Sequence, residues 1–376
     1  MIGRKKIFVS VSNDLYTDNR VNKVCHFLCE QGYEVVLVGR KRKNSQVLAP
    51  RPYQTKRFRL LFDKGPLFYA ALNVRLFFFL LFKKVDILLS NDLDTLPANY
   101  LASKFKRNTR LVYDTHEYFT EVPELIARPK VRKIWLGIEK RIFPKLETIY
   151  TVNQSIANKY QVRYGKKVHI VRNVGPKWIP IEIKSRASLG LPEDQFLVIL
   201  QGSGINVDRG AEEAIEAIQE IENAVLVFVG DGDVIPSLKK EVVAKKLEKK
   251  VLFFGKRPYE EMMQYTHACD IGLSLDKPLS ENYLYSLPNK IFDYIQAGTP
   301  IICTNLPEVS AVVTRYDVGL VLPKMDVHSL TIALKSLQEH PERRIQLQEN
   351  CKKAAEIENW EAECEVLSHI YPKINS

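Results

Sequence analysis

Short apolar runs alternate with amphipathic stretches of helical length along most of this chain. That alternation admits few folds, because parallel strands need a crossover of a dozen or more residues between them, and a helix is the usual crossover. In the first half the expected strands are Lys6–Val11, Glu34–Val38, Val85–Ser90, Arg110–Tyr113, Thr148–Val152 and Val168–Arg172. Between them fall expected helices at Arg20–Gln31, Leu67–Lys84, Leu96–Lys106, Ile134–Phe143 and Ser155–Tyr164. The first of these shows the logic: Val21, Val24, Phe27 and Leu28 share one face, and Gly32 supplies the stop.

The run Asn173-Val-Gly-Pro-Lys-Trp-Ile-Pro180 is turn-rich and reads as a linker. The pattern then restarts, with strands expected at Phe196–Leu200, Val225–Val229, Val251–Phe254, Ile271–Leu275 and Pro300–Cys303. Helices are expected at Ala211–Ile221, Ile235–Leu247, Tyr259–Ala268 and Asn289–Ala297, followed by a helical tail from about Val327. The expectation is an α/β chain of two Rossmann-like, doubly wound parallel-sheet domains facing a central cleft. Their bounds are set at 1–178 and 179–355, with a C-terminal helix over 356–376 returning to the first domain.

Charge narrows the partners. Residues 1–180 carry 34 Lys and Arg against 14 Asp and Glu, whereas the remainder carries 21 against 30. A basic half points to an anionic partner: nucleic acid, an acidic membrane leaflet or a phosphate-bearing acceptor. No basic recognition helix or aromatic sheet motif accompanies the charge, so nucleic acid is set aside. The six cysteines are scattered, without metal spacing, which reads as a reduced cytosolic protein. The apolar run after the basic N-terminus is too short for a signal peptide, and Leu76–Phe82 is far too short to span a bilayer. Leu60–Lys84 mixes phenylalanines with Lys64, Arg75, Lys83 and Lys84, the composition of an interfacial helix and equally of a helix packed on a sheet.

Two segments carry candidate chemistry in the second half. Leu287-Pro-Asn-Lys290-Ile-Phe-Asp293-Tyr-Ile-Gln-Ala-Gly298 opens a helix at Pro288 and stops it at Gly298. Lys290 and Asp293 stand three apart at its first turn, so a cation for a diphosphate and a carboxylate for ribose hydroxyls meet there. The plain alternative is a solvated surface pair. Arg209 follows the loop Gly202-Ser-Gly204-Ile-Asn-Val-Asp208 before the next helix, where backbone amides and a planar cation suit an anion. The triplets Asp92-Leu-Asp94 and Asp231-Gly-Asp233 have metal-binding spacing, but the second sits where a turn is expected, and neither is read as a metal site. No G-x-G-x-x-G occurs after a strand, which disfavours a dinucleotide oxidoreductase.

Four ordered blocks then acquire a common meaning. Gly202–Gly210, Val227-Phe-Val-Gly-Asp-Gly232, Val251-Leu-Phe-Phe-Gly255-Lys-Arg257-Pro and Asp293–Ile302 together resemble the donor site of GT-B-fold glycosyltransferases, especially the retaining family 4 (glycosyltransferase group 1). The resemblance covers nearly all of the chain, strongly after residue 195 and weakly before it. It implies Arg209 and Lys290 on the diphosphate, Asp293 on the ribose, and Gly204, Gly255 and Arg257 around the nucleotide. The family's usual second basic residue is replaced by Gly204, and counting back eight from Asp293 finds Tyr285 where the family has an acid. Glu281 and Asn282 lie nearby and are candidates for the sugar-side contact.

In the first half, Asp114-Thr-His116-Glu117, Asn91-Asp92 and Tyr16-Thr-Asp18-Asn-Arg20 follow three strands and form a polar rim. Asp18, Arg20, Asp92, His116 and Glu117 are taken as the acceptor side, with His116 either a hydrogen-bonding group or a participant in proton transfer. The implied activity is transfer of a sugar from a UDP- or GDP-sugar to a hydroxyl of a glycan or lipid-linked glycan, with retention and without a required cofactor or metal. A non-catalytic nucleotide-sugar-binding partner of another transferase is the alternative, and Tyr285 is its main support. The expected setting is cytoplasmic envelope polysaccharide synthesis, peripheral on the inner face of the membrane.

Overall fold

The computed structural model describes residues 5–16 and 18–374, so Thr17 of the expected rim loop lies outside the described residues. The chain divides into two units: the residues up to Arg172 with those from Glu363 onward, and Asn173–Ala362.

The first unit is built on a seven-stranded parallel sheet of β1 (Lys6–Ser10), β2 (Glu34–Arg40), β3 (Gln54–Phe58), β4 (Ile87–Asn91), β5 (Arg110–Thr115), β6 (Thr148–Thr151) and β7 (His169–Ile170). The order is β3-β2-β1-β4-β5-β6-β7. Phe8 of β1 faces Val36 on one side and Leu88 on the other, so the sheet winds outward in both directions from β1 and β4. The second unit repeats this with β8 (Phe196–Gly202), β9 (Ala224–Gly230), β10 (Val251–Phe253), β11 (Ile271–Ser274), β12 (Ile301–Thr304) and β13 (Gly319–Leu322), ordered β10-β9-β8-β11-β12-β13. In both units the reversal of strand order falls between the first and fourth strands, and open parallel sheets bind ligands at the carboxyl ends there.

The uninterrupted apolar character of β8 and β9 reflects burial on both faces. One face places Val198, Leu200, Leu226, Phe228, Leu273 and Leu275 in a core shared with helices Ala211–Gln219 and Val327–Glu339. The other sets Leu197, Ile199, Val225 and Val227 against Tyr294 and Ile295 of helix Lys290–Ala297. Truncating any one of these fully buried leucines or isoleucines to alanine costs about 2–5 kcal/mol. The Lys290–Ala297 helix stops at Gly298, at a φ of +72°, as its sequence predicts.

Strands β3 and β13 are absent from the sequence expectation. Both are sheet edges: β3 is mostly exposed and polar in sequence, Gln-Thr-Lys-Arg-Phe, so no apolar run announces it, and β13 is short, three half-buried residues and then buried Leu322. The helix expected over Leu67–Lys84 runs instead over Pro66–Leu81, leaving Lys83 and Lys84 beyond its end. It buries Phe68, Leu72, Leu76 and Leu80, one every four residues, and turns Leu67, Val74 and Phe78 outward.

The C-terminal segment is tied to the first unit by polar contacts. Glu363 accepts from the backbone N–H and the Nε of Arg172, each at 2.7 Å. Arg110 Nη1 donates to Ile370 O at 2.8 Å, and Tyr33 Oη donates to Pro372 O at 2.9 Å. Charge-assisted hydrogen bonds to a carboxylate that is 3% exposed are stronger than neutral ones. Glu363→Ala is therefore expected to destabilise the first unit by roughly 2–3 kcal/mol, read as faster amide hydrogen exchange in β6 and β7 with no change in β8 or β9.

Candidate functional site

In the second unit the site grows from the carboxyl ends of β8 and β11. After β8 the chain folds over the β9 end, with Ile205 N–H donating to Asp231 O at 2.9 Å and Asp233 N–H to Asn206 Oδ1 at 3.0 Å. The triplet Asp231-Gly-Asp233 is thus part of this loop packing. Lys277 ties the loop from below through Glu213 at 2.6 Å and Asp208 at 3.5 Å. Gly210, at a φ of +76°, begins the helix Ala211–Gln219. A Cβ there would stand 2.2 Å from Leu275 Cβ, so only glycine lets Arg209 lie against the segment that follows β11.

That contact brings Arg209 to Asp276, a residue the sequence reading did not single out. Arg209 Nη1 donates to Asp276 Oδ1, and Lys290 Nζ stands 3.9 Å from Oδ2. Asp276 is 1% exposed. Burial works against the Arg209 charge, but the adjacent Asp276 carboxylate outweighs it and the guanidinium is held above its ordinary pKa. The guanidinium also lies 4.6 Å from the centre of the Tyr283 ring. Tyr283 sits on the single-turn helix Glu281–Leu284, which Ser280 Oγ caps by accepting from Tyr283 N–H at 3.2 Å, so Glu281 and buried Asn282 belong to the same element as the Arg209 platform. Tyr285 closes that turn through its N–H to Glu281 O at 3.1 Å. The signal for Asp276 was the first acid beyond a buried strand, at the end of the sheet where ligands bind.

Asp293, 8% exposed, accepts from Tyr259 Oη at 3.2 Å and from Gln201 Nε2 at 3.4 Å. Gln201 is itself fixed by Thr266 Oγ1. Burial and then the Asp293 carboxylate raise the Tyr259 pKa, which keeps it a proton donor to that carboxylate. Gly204 stands in the loop after β8, and Gly255 follows β10 and accepts Gly230 N–H at 2.9 Å. Arg257 donates to Phe254 O at 3.0 Å and pairs with Glu261 at 3.3 Å, so its guanidinium is engaged by its own loop and helix.

In the first unit the carboxyl ends of β4 and β5 carry a buried charge network. Arg20 grips Asp114 through Nη2 at 2.9 Å and Nε at 3.2 Å, and its Nη1 donates to Val171 O at 2.9 Å. Asp114 in turn lies 3.1 Å from His116 Nε2, and Asn91 Oδ1 lies at the same distance. His116 Nδ1 is 3.3 Å from Asp92 Oδ2, and the His116 N–H donates to Asp92 Oδ1 at 2.8 Å. Asp92 adopts a φ of +58°, a strained region for a residue with a side chain. Asp18 caps helix Asn19–Glu30 by accepting from Val21 N–H at 3.0 Å, and Glu117, half-buried, accepts through its carbonyl from Thr115 Oγ1 at 2.8 Å.

The electrostatics follow from this packing. Burial opposes a charge on His116, but Asp92 and Asp114 outweigh it and lift its pKa to about 9. A carboxylate facing each ring nitrogen makes both N–H groups donors, so the imidazolium serves as a fixed cation. Burial also opposes charge on Asp114, yet Arg20 and His116 hold its pKa below the usual range. For Asp94, 7% exposed, burial and then Asp92 outweigh Ser12 and His116 and push its pKa up to about 7.

Residues 182–355 match the family model described as glycosyl transferases group 1, and residues 18–174 match that of glycosyltransferase family 4. The putative teichuronic acid biosynthesis glycosyltransferase TuaC of Bacillus subtilis is 28% identical over 144 residues, which are 38% of this chain and 33% of that protein. The chain thus spans about a third of that relative's length. Among solved structures, a sucrose-phosphate synthase from Thermosynechococcus elongatus superposes with a TM-score of 0.79 at 18% identity, covering 98% of each chain. Anabaena HepE in complex with UDP-glucose gives a TM-score of 0.73 at 17% identity, covering 97% of this chain and 99% of that one.

The raised His116 pKa has a signed consequence. A histidine whose folded value exceeds its unfolded value near 6.5 adds stability that is complete below about pH 6.5 and is lost as pH rises through about 9. Between those values the first unit of the wild type should lose stability with pH faster than the same unit of His116→Gln, and the His116 ring should titrate near pH 9 by NMR. A ring titrating near 6.5 would mean that the two carboxylates do not hold it charged.

Proposed function

The chain belongs to the group 1 glycosyl transferases, and we propose that it transfers a sugar from a nucleoside-diphosphate sugar to a hydroxyl of a glycan or lipid-linked glycan, with retention at the anomeric carbon. The observation that carries this reading is the convergence of Arg209 and Lys290 at the carboxyl ends of β8 and β11, the ligand-binding end of such a sheet. Two cations beside helix N-termini suit a diphosphate. In the reaction that diphosphate leaves and gains negative charge, so cations aimed at it lower the barrier where charge develops. Asp293, at the first turn of the same helix as Lys290, takes the ribose hydroxyls, and Glu281 and Asn282 face the sugar. Gly204, Gly255 and Arg257 line the nucleotide. The HepE structure in complex with UDP-glucose supports UDP-sugars as the first donors to test, with GDP-sugars second.

The first unit supplies the acceptor side. His116, held charged between Asp92 and Asp114, fixes the geometry of the rim that meets the acceptor hydroxyl; Arg20 orients it through Asp114, and Asp18, Asp92 and Glu117 complete the rim. Envelope polysaccharide synthesis is supported by the likeness to a teichuronic acid transferase. A lipid-linked acceptor accords with the exposed apolar side chains of Leu67, Val74 and Phe78 on helix Pro66–Leu81, of Leu61 and Phe62 before it and of Phe82 after it, with Lys83 and Lys84 next in sequence. Aromatic and aliphatic side chains among lysines suit the headgroup region of an anionic leaflet on the cytoplasmic side. Among the described residues no helix is long and apolar enough to cross a membrane.

Two measurements test this. Arg209→Ala and Lys290→Ala should each weaken UDP or GDP binding by on the order of ten- to a hundredfold, the loss of one charge-assisted contact, while uridine or guanosine binding is unchanged. Asp293→Ala should weaken the nucleoside itself. If the diphosphates bind both cation variants as they bind the wild type, the donor assignment fails. Separately, co-sedimentation with acidic vesicles should fall as salt rises and fall further in Lys83→Glu/Lys84→Glu. Equal binding to neutral and acidic vesicles would remove the membrane role.

A further inference from the structure

Asp276 is out of place in a site built for anions. It is 1% exposed, pairs through Oδ1 with Arg209, stands 3.9 Å from Lys290 through Oδ2, and so presents a negative charge to both cations assigned to the diphosphate. Its surroundings are not satisfied. Asp276 Oδ2, Arg209 Nε and Ser274 Oγ are all buried without a hydrogen-bond partner, and all three belong to the carboxyl ends of β8 and β11. A buried ion pair stabilises a fold only when its remaining lone pairs and protons are also bonded. Arg209 Nε and Ser274 Oγ can still donate, so an anion arriving at this ligand-binding end would complete them, whereas the Asp276 carboxylate, an acceptor itself, would compete with it.

We propose that Asp276 is an internal competitor for the donor's diphosphate: it holds Arg209 and Lys290 in the empty site and must yield both to the incoming phosphates. This rests on the reading that those two cations bind the diphosphate. The diphosphate and Asp276 cannot both keep the two cations, because three negative charges would then share two positive ones in a poorly solvated space. The ligand must therefore displace a carboxylate already in place, and its affinity is reduced by that exchange. The same exchange runs backwards after transfer. When the nucleoside diphosphate remains as product, Asp276 reclaims the cations and speeds its departure, a step that limits turnover in many enzymes. The competitor also lowers the net positive charge of the site before the donor arrives, so that the two cations hold solvent anions less tightly. Asp276 touches the cations, not the reacting atoms, and is a positioning residue.

A bracket that merely holds Arg209 in place would make the opposite forecast to a competitor, which allows a clean test. Asp276→Asn keeps the shape and an acceptor for Arg209 but removes the charge. Calorimetry on the full chain uses UDP, GDP, uridine and guanosine as probes. The expected result is that whichever diphosphate binds the wild type binds Asp276→Asn on the order of tenfold more tightly, with the nucleosides unchanged and Asp276→Glu close to wild type. In steady state the variant should show a lower KM for the nucleotide sugar and a lower kcat, because product leaves more slowly. Asp276→Ser carries the same expectation where the amide variant does not fold. Equal or weaker diphosphate binding in the uncharged variants overturns the competitor and makes Asp276 a bracket. Weaker binding of the nucleotide sugar with unchanged diphosphate binding overturns it too, and moves Asp276 to the sugar. Failure of the underlying reading looks different: the diphosphates would then bind Arg209→Ala and Lys290→Ala as tightly as the wild type, or would not bind the wild type at all.

Discussion

A parallel sheet that winds outward in both directions from one pair of strands cannot cover its own carboxyl end at that pair. The crossovers leave on opposite faces, so the loops after β1 and β4, and again after β8 and β11, diverge. Each unit of this chain therefore has one place where backbone ends, loop side chains and helix N-termini meet without an apolar lid. Buried polar groups gather there: Asn91, Asp94 and Asp114 in the first unit, with half-buried Asp92 beside them, and Gln201, Ser274 and Asp276 in the second. The strands behind them, apolar on both faces, provide the rigidity against which small shifts in these groups would be costly.

The two ends use charge differently. In the first unit the chain Arg20–Asp114–His116–Asp92 alternates sign, and both of its carboxylates meet a cation, so its charges are fixed. In the second unit two cations share one acid, leaving a net positive charge and three polar atoms without partners. Ion pairs buried to this degree are poor sources of stability compared with apolar packing of the same volume. Their placement at the two strand-order reversals, and not in the cores, is accounted for by binding and orientation. A fixed, neutralised network suits a site that must keep one geometry. An under-neutralised one suits a site that receives an anion.

Much of this was legible in the sequence because periodicity reports burial. The strands β1, β2, β4, β8, β9, β11 and β12 are short apolar runs, and the sequence locates them because both faces of each are covered. β3 escaped because an edge strand needs only its backbone, and its side chains are free to be polar. That Arg209, Lys290 and Asp293 stand at helix starts was legible, because it is a local property. Asp276 was not, since its meaning comes from Gly210, whose missing side chain lets Arg209, 67 positions before Asp276, lie against the segment at Leu275. Nor was the engagement of Arg20 by Asp114, 94 positions away. Sequence reasoning places residues whose setting is local, and misses those whose setting is a partner brought in by the sheet.

The departures from the resembled pattern then form one rearrangement. Gly204 stands where a second cation is usual and Tyr285 where an acid is usual. Neither charge is lost from the site: a cation stands at Lys290, on a helix N-terminus, and an acid at Asp276, on a strand end, 3.9 Å apart. Moving the cation from a loop to a helix start adds the amide dipoles to its field. Moving the acid from a helical turn to the floor beneath Arg209 changes what it can reach, because at 1% exposure it faces the cations and not solvent. The charge count is compatible with binding a nucleotide diphosphate, but the acid now acts on the two cations proposed to hold it. On this reading the chain regulates its grip on the diphosphate from within the site.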